Sequence, residues 1–419
     1  MRMLKHDFGH MGCPYYEEEL DDKTKLIFIP RKSKLKSALV YVGQGGFNHA
    51  KMLSNSKIPF GSAYYLMNMV GDDAFVKELR DDATLLQTDM DYSFVRYQLT
   101  SMKDIFPSLK KLLLRMSAPT YAEKDIEAFK QKEEKLSSDR EKNPILLSQE
   151  KCLFNLYTSS PIRYGYLPSL KDGVRIHESA LKKYQENYYS SENITIFLSM
   201  DASPEDILAK VKEMKVSFKP SGLKEEHFEY EEDYEKVGKE YEEVSMDSHH
   251  SYLTYGIKFP SRAVIYDAYG EFPFAAYEIL LPIICKENAG FLSGLGNIRA
   301  NLLESRLEEG GEDAYILLTF QSEDEVSLIN YLTDYFSKLD KQVTSDDFYS
   351  IQKAGFMHAV SDLSLPCKAV ELFSKASANN MAYTALMARV DKMSFNTYRH
   401  FLSEFKAFRK AVCYVKKGN

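Results

Sequence analysis

The stretch Gly61-Ser62-Ala63-Tyr64-Tyr65-Leu66-Met67-Asn68-Met69-Val70-Gly71 lies near the start of the chain and decides how the rest is interpreted. Its positions 64, 67 and 68 carry a phenol, a thioether and a carboxamide. Zinc in proteins is held by imidazole, thiolate or carboxylate groups, and a general base needs a titratable group. Because the three side chains are poor replacements for either, this stretch predicts no catalytic metal site.

Segments of strand and helix character flank this stretch on both sides. Residues 25–30 and 37–43 are predicted to be strands joined by a basic turn. Residues 121–140 are predicted to form a helix that runs towards Asn143-Pro144. Residues 184–205 then contain an aromatic helix end, a Ser-Ser-Glu-Asn turn, an apolar strand and the Asp-Ala-Ser-Pro-Glu start of another helix.

In this order, the segments resemble the insulinase/pitrilysin family of metallopeptidases, and the resemblance covers the whole chain. In that family Gly-x-Ala leads into His-Phe-Leu-Glu-His. Position by position, the first His corresponds to Tyr64, the catalytic Glu to Met67 and the second His to Asn68. The resemblance therefore implies a pseudo-peptidase with a degenerate zinc helix, no metal and no cofactor. We expect Tyr64 and Met67 to pack in place of the metal.

The third zinc ligand of the family is a Glu on a later helix of the same domain. Counting back from Asn143-Pro144 places it on Leu136, with a supporting carboxylate position seven residues earlier on Phe129. A slip of one turn would instead bring Glu133 or Glu134 to the ligand position. In either register, a single Glu cannot hold zinc without the two imidazoles.

The resemblance also implies a strand that binds peptide. Active relatives carry an Asn-Ala-x-Thr segment on an edge strand, to which an extended substrate adds as a further strand. The corresponding stretch is residues 83–89, with Leu86 in place of the Asn. The predicted substrate-binding residues are therefore Leu85, Leu86 and Gln87, although the polar contact of the Asn is lost.

A second predicted contact with peptide lies in the C-terminal half. Gly294, Gly296 and Asn297 fall where family members often carry a Gly-Leu-Ala-Tyr segment that helps to hold the peptide, and Asn297 replaces the Tyr. A glycine-rich loop would let the backbone approach a ligand closely. The alternative is an ordinary turn from a helix to a strand.

The chain repeats its own pattern in its two halves. Each half opens with an apolar strand and a long helical stretch, and each ends in a helix followed by a strand, at residues 174–198 and 393–415. Strands followed by helices predict an α+β fold with an antiparallel sheet. We therefore predict two tandem homologous domains, and the resemblance implies that helices cover each sheet on one face.

An acidic segment separates the two halves. Between Lys224 and Val244, ten acidic residues accompany three basic ones, a local balance of −7 that equals the net charge of the chain. Such a run is typical of an exposed connector. The predicted organisation is an N-terminal domain at 1–220, an acidic linker at 221–245 and a C-terminal domain at 246–419.

Composition narrows the class of protein further. A chain of 419 residues exceeds the size of a single hydrophobic core. No stretch predicts a membrane span, and the first seven residues lack the apolar core of a secretory signal, so the expected location is cytoplasmic. The five cysteines have no Cys-x-x-Cys spacing and are expected to be reduced and mostly buried. No basic surface interleaved with aromatic residues indicates a nucleic-acid partner.

Three functions remain open at this point. Half-length members of the family pair as two-domain chains around a chamber, and in several pairs only one chain keeps the zinc motif. The resemblance therefore implies an inactive subunit of a heterodimeric zinc peptidase, which pairs with an active homologue and helps to enclose and bind peptide substrate. The alternatives are a non-catalytic homodimer that binds peptide or acts as a scaffold, and an enzyme that uses another site.

Overall fold

The computed structural model of the protein describes residues 3–7, 14–43, 45–47, 58–118, 121–165, 173–220, 231–262, 264, 275–286, 288–377 and 381–418. The chain divides into two compact units, each assembled from three separate stretches. Unit 1 comprises Met1–Glu134, Tyr166–Phe228 and His358–Leu386, and unit 2 comprises Lys135–Gly165, Glu229–Met357 and Met387–Asn419.

The described strands and helices are labelled in chain order. The strands are β1 Leu4–His6, β2 Tyr15–Glu19, β3 Lys25–Pro30, β4 Lys36–Val42, β5 Thr84–Met90, β6 Val95–Ser101, β7 Ile194–Met200, β8 Tyr241–Met246, β9 Tyr252–Pro260, β10 Asn301–Gly310, β11 Asp313–Gln321 and β12 Lys410–Lys417. The α-helices are α1 Ser62–Val70, α2 Asp73–Asp81, α3 Phe106–Ser117, α4 Glu123–Glu141, α5 Pro144–Leu156, α6 Glu178–Tyr188, α7 Pro204–Glu213, α8 Ala289–Asn297, α9 Glu325–Ser337, α10 Leu339–Gln342, α11 Ser345–Leu363, α12 Pro366–Ser377, α13 Tyr383–Lys392 and α14 Phe395–Ser403.

The two sheets share the same topology over five strands, and the sheet of unit 1 has β1 and β2 in addition. In unit 1 the strand order is β1-β2-β3-β7-β4-β6-β5, and in unit 2 it is β10-β11-β9-β12-β8. Each sheet has one parallel pair, β3 with β7 or β8 with β12, and its other pairs are antiparallel. The predicted α+β fold with an internal duplication is confirmed, and each sheet is mixed by virtue of that single parallel pair.

Besides the helices of its own half of the chain, each sheet is covered on its opposite face by a helix from the other half. Helix α12 packs on β4 and β7, and helix α5 packs on β9 and β12. Gly256 of β9 leaves room for α5, because a Cβ atom there would lie 2.9 Å from the Cys152 Sγ. The expectation that helices cover one face only is therefore corrected.

The physical reason lies in the central strands, which are apolar at successive positions. Residues 26–29 of β3 and 38–42 of β4 are all buried. Strands that lack the alternation of apolar and polar residues need cover on both faces. The two halves therefore exchange helices: residues 135–165 lie in unit 2, and residues 358–386 lie in unit 1. The domains predicted at 1–220 and 246–419 were contiguous and did not include this exchange.

The acidic segment is only partly a connector. Residues 221–230 lie outside the described part of the chain, whereas β8, at residues 241–246, pairs in parallel with β12. Glu232 is buried, and its carboxylate accepts a hydrogen bond from the Lys258 Nζ at 2.5 Å, with the two side chains 1% and 0% exposed. The prediction of an exposed linker throughout 221–245 is therefore corrected for its described part.

The Glu232 carboxylate also holds the chain that follows α5. It accepts hydrogen bonds from the backbone N–H groups of Thr158 at 3.0 Å, Ser159 at 2.8 Å and Ser160 at 2.9 Å. Burial alone would raise the pKa of Glu232, but the hydrogen bonds from Lys258 and from these N–H groups outweigh it and hold the pKa below its usual value. The carboxylate therefore stays charged inside unit 2.

Two predictions from composition can be compared with the described residues. Cys152, Cys285, Cys367 and Cys413 are free thiols and all but Cys367 are buried, whereas Cys13 lies outside the described residues. Across the described part of the chain, every helix is too short or too polar to span a bilayer.

Candidate functional site: a degenerate zinc helix and an edge strand

Helix α1 is buried over most of its surface. It follows Gly61, whose φ of 87° lies in the left-handed region that glycine adopts at low cost. Seven of its nine residues are buried, and only Tyr64 and Asn68 are partly exposed. Residues four apart share one face of a helix, so the positions of the two family histidines lie together on the least buried face of α1.

The side chains at the three family positions have taken structural roles. Met67 is 8% exposed and belongs to the hydrophobic core of unit 1, and Tyr64 packs against that core. Asn68 donates from its Nδ2 to the backbone carbonyl of Tyr64 at 2.8 Å. The expectation that Tyr64 and Met67 serve packing is confirmed for the described structure.

The Tyr64 hydroxyl connects α1 to α4. It donates a hydrogen bond to the Glu133 Oε1 at 2.9 Å, and Glu133 is itself buried. The Phe129 ring lies 6.0 Å from the Tyr64 ring and 5.0 Å from the Tyr65 ring, edge to face with the latter. Burial, assisted by the charge of Glu133, raises the pKa of Tyr65 to about 12, so Tyr65 is a neutral phenol at pH 7.

Of the three residues considered for the third family position, Glu133 is the one that bonds to α1. Leu136, the residue reached by counting back from Asn143-Pro144, is 41% exposed, and Glu134 is also exposed. Glu133 precedes Leu136 by about one turn of α4, but only Glu133 lies on the buried face that contacts α1. The supporting position seven residues before Glu133 is Ile126, which is fully buried and apolar. This geometry favours the register with Glu133 over the register with Leu136.

The donors around α1 do not suit zinc. The Tyr64 phenol bonds to Glu133, and the Asn68 carboxamide already bonds to its own helix. Zinc sites in proteins use three or four imidazole, thiolate or carboxylate groups. Among the residues that the structure describes, no group of three or more His, Cys, Asp or Glu side chains could hold a metal ion.

We expect the purified chain to bind no stoichiometric zinc, because only one carboxylate donor stands at the family site. Elemental analysis after dialysis against a zinc-containing buffer and then a metal-free buffer tests this. One tightly held zinc per chain that is lost on substituting residues 64–68 would contradict the expectation.

Strand β5 lies at the edge of the sheet in unit 1 and pairs, among the described strands, only with β6. Leu85 is 45% exposed and Gln87 is also exposed, whereas Leu86 is 7% exposed and faces the core. The end of α1 approaches this strand closely, because a Cβ atom on Gly71 would lie 3.0 Å from the Thr88 Cγ2. The predicted strand is thus in place, but Leu86 can offer a peptide only its backbone.

The glycine-rich stretch in unit 2 is a helix and not a loop. Gly294, Gly296 and Asn297 all lie in α8. A Cβ atom on Gly294 would lie 2.3 Å from the Tyr331 hydroxyl, which donates to the Phe291 carbonyl at 2.8 Å. Gly294 is therefore needed for the contact between α8 and α9, and the prediction of a ligand-binding loop is corrected. Gly296 and Asn297 are exposed at the end of the helix.

A comparison with known families agrees with this geometry. Residues 175–281 match the model of a family described as the peptidase M16 inactive domain. This match supports an inactive, peptidase-like homologue. In agreement with that description, the side chains at positions 64, 67 and 68 are neither usual zinc ligands nor a general base.

Solved structures show the same fold over nearly the whole chain. An M16-like peptidase from Alicyclobacillus acidocaldarius is 14% identical with a TM-score of 0.86, covering 99% of this chain and 100% of that one. A protease from Helicobacter pylori is 16% identical with a TM-score of 0.80, covering 96% and 99%. A peptidase M16 inactive domain from Pseudomonas fluorescens is 13% identical with a TM-score of 0.78, covering 97% and 98%. No curated protein matches the chain.

The contact between Tyr64 and Glu133 could not be predicted from the sequence. The sequence offered Leu136, Glu133 and Glu134 as candidates for one position and did not distinguish among them. A carboxylate at position 133 has a hydrogen-bond donor on α1 once the helices pack, whereas Leu136 needs none. Only the packing of the two helices distinguishes these registers.

Proposed function

We propose that the chain is the inactive subunit of a heterodimeric zinc peptidase, in which it helps an active homologue to enclose and bind peptide. The observation that carries this proposal is an edge strand beside which the described residues offer no catalytic groups. Among the described strands, β5 pairs on one side only, while the neighbouring helix α1 carries packing side chains at its family positions. An open edge can bind an extended peptide through main-chain hydrogen bonds, and that ability needs no metal.

The chemistry that is lost would come from the partner. Hydrolysis in a zinc peptidase needs a metal to activate water and a base to take its proton. Tyr64, Met67 and Asn68 supply neither. The chain would instead help to position the substrate, and positioning alone can provide a large part of a rate enhancement. A cytoplasmic location of this pair remains a prediction from the sequence.

A homodimer that binds peptide or acts as a scaffold is the second candidate. It rests on the same open edge of β5, which would bind peptide whether or not an active partner exists. The two candidates differ in the partner that each requires, and a purification from the native host separates them. Recovery with a homologue that carries an intact His-x-x-Glu-His motif favours the heterodimer, whereas recovery as a pair of identical chains favours the homodimer.

We expect the chain alone to cleave no peptide, and to enable or raise cleavage when it is mixed with an active homologue from the same genome. The measurement is the rate of cleavage of a quenched fluorescent peptide by each chain and by the mixture. Chelation of the metal should abolish the activity of the mixture. Cleavage by the chain alone that resists chelators, survives repeated purification and is abolished by a point substitution within it would contradict the proposal.

A further inference from the structure

An open groove lies at the point where β5 begins. Its volume is about 290 Å³, and its lining includes Leu35, Arg80, Leu85, Thr100 and Met102. Leu85 and Met102 are 45% and 68% exposed, so the groove presents two large apolar side chains to solvent. The volume is close to the lower limit of about 300 Å³ for ligand pockets and suits one or two residues of a peptide.

The register of the strands places Leu85 next to the ends of β4 and β6. Leu85 of β5 lies directly opposite Thr100 of β6, and Thr100 lies opposite Ser37 of β4. Leu35 and Met102 lie just outside β4 and β6, two residues from Ser37 and Thr100, and both line the groove together with Leu85. Helix α12 covers the neighbouring part of the sheet, where Gln98 donates to the Cys367 carbonyl at 2.9 Å. The cover does not extend over Leu85.

Arg80 supplies the positive charge of the groove. It is exposed in the last turn of α2, and its guanidinium forms no ion pair or side-chain hydrogen bond with any described residue. A tight turn joins α2 to β5: the Ala83 N–H donates to the Arg80 carbonyl at 2.9 Å, and Ala83 has a φ of 57°. This turn places Arg80 in the same groove as Thr84, the first residue of the edge strand.

Extending the proposed function, on which this inference rests, we propose that the groove binds an apolar residue of an extended peptide together with an adjacent carboxylate. The peptide would add to β5 as a further strand, because the free N–H and C=O groups of an edge strand favour an extended partner. Its apolar side chain would cover Leu85 and Met102. Its carboxylate would pair with Arg80, whose planar guanidinium can bind both oxygens at once.

The carboxylate has two sources with the same chemistry. It can be the C-terminal carboxylate of the peptide or the side chain of an Asp or Glu next to the apolar residue. The binding of three fluorescein-labelled peptides of otherwise identical extended sequence distinguishes the sources. The first ends in Leu with a free carboxylate, the second ends in Leu amide, and the third is an amide in which Asp precedes the Leu.

Fluorescence anisotropy with the full-length chain measures the affinities. We expect a carboxylate peptide to bind about tenfold more tightly than the plain amide, the usual scale of a charge-assisted hydrogen bond. Arg80→Gln should remove this preference and leave the affinity for the plain amide unchanged. Leu85→Ser should weaken all three peptides. Lys77→Gln, a change to an exposed lysine on the same helix, is the matched control and should alter none of the affinities.

The possible outcomes separate this inference from the proposed function. Equal affinities for the carboxylate and amide peptides, or an equal effect of Arg80→Gln on both, would contradict the proposal that the groove binds a carboxylate. The proposal that the edge of β5 binds peptide would not be affected. Gln87→Pro, which removes a backbone donor in the middle of β5, should abolish binding of all three peptides. If no peptide binds to the unmodified chain, both the binding groove and the peptide-binding edge are contradicted. The formation of a heterodimer is then tested separately.

Discussion

Replacing Lys258 with Met should lower the free energy of unfolding by about 3–5 kcal/mol, the usual cost of removing one partner of a buried ion pair. The substitution leaves the Glu232 carboxylate inside unit 2 without its countercharge, at a position where the side chain is only 1% exposed. The three backbone N–H groups at residues 158–160 remain bonded to it, but they carry no full charge. Denaturant unfolding at pH 7, followed by circular dichroism, measures the loss.

The matched control is Lys236→Met, which removes another lysine from the same segment. Lys236 pairs with Asp233 at 2.8 Å, but the two side chains are 75% and 42% exposed. Pairs of exposed charges contribute little to stability because solvent screens them, so this control should unfold nearly as the unmodified chain does. Equal midpoints for the chain and for Lys258→Met would show that the pair does not stabilise the segment.

The pH dependence of stability should have a definite sign. The folded state holds the pKa of Glu232 below its usual value, so the unfolded chain takes up a proton first as the pH falls. The contribution of Glu232 is therefore complete above the pKa of an unfolded Glu, about 4.3, and is lost as the pH falls through the folded pKa. In Lys258→Met, part of this acid sensitivity should disappear, which a series of unfolding curves between pH 3 and pH 7 would detect.

Restoring the family motif with Tyr64→His, Met67→Glu and Asn68→His together should destabilise the metal-free chain by at least about 1–3 kcal/mol, the usual cost of an unsatisfied buried polar group. The Glu would replace Met67 at a position that is 8% exposed in the hydrophobic core. Loss of the Tyr64 hydroxyl would also leave Glu133 without its 2.9 Å hydrogen bond. Thermal unfolding in the presence of a chelator measures the loss.

Added zinc should reverse this loss in the same triple variant. Two imidazoles at positions 64 and 68, together with Glu133, are the donor types that catalytic zinc sites use. A ligand that binds only the folded state stabilises it by about 2.7 kcal/mol at a concentration one hundred times its Kd. The matched control adds Glu133→Gln to the triple variant, which should abolish the response to zinc. An unchanged midpoint without metal would instead show that positions 64–68 face an open and hydrated cavity.

The architecture could be predicted from the sequence to a large extent. Repeated strand and helix patterns indicated two α+β halves, and the two sheets do share one topology. The exchange of helices α5 and α12 could not be predicted, because amphipathic periodicity shows that a helix has an apolar face but does not show which sheet covers it. The apolar runs in β3 and β4 indicated burial on both faces, yet they did not identify the helix responsible.

Some residues of the candidate site could likewise be placed from the sequence, and others could not. Leu85 and Gln87 could be placed on an edge strand because their segment follows the family order. Gly294 was misassigned to a loop, since nothing in the local sequence shows that Tyr331 of a different helix occupies the space beside it. Glu232 was misassigned to a solvated run, since its partner Lys258 lies on a separate strand. Each error concerns a contact between elements that are not adjacent in the chain.

The sequence by itself determined that positions 64, 67 and 68 carry no usual zinc ligand and no general base, because these are properties of the individual side chains Tyr64, Met67 and Asn68. Only the tertiary structure decided that Glu133, and not Leu136, is buried against α1 and bonds to Tyr64. A shift of one helical turn leaves the local propensities almost unchanged. It does change which side chain meets a hydrogen-bond donor on the opposite helix, and a buried carboxylate is stable only where such a donor exists.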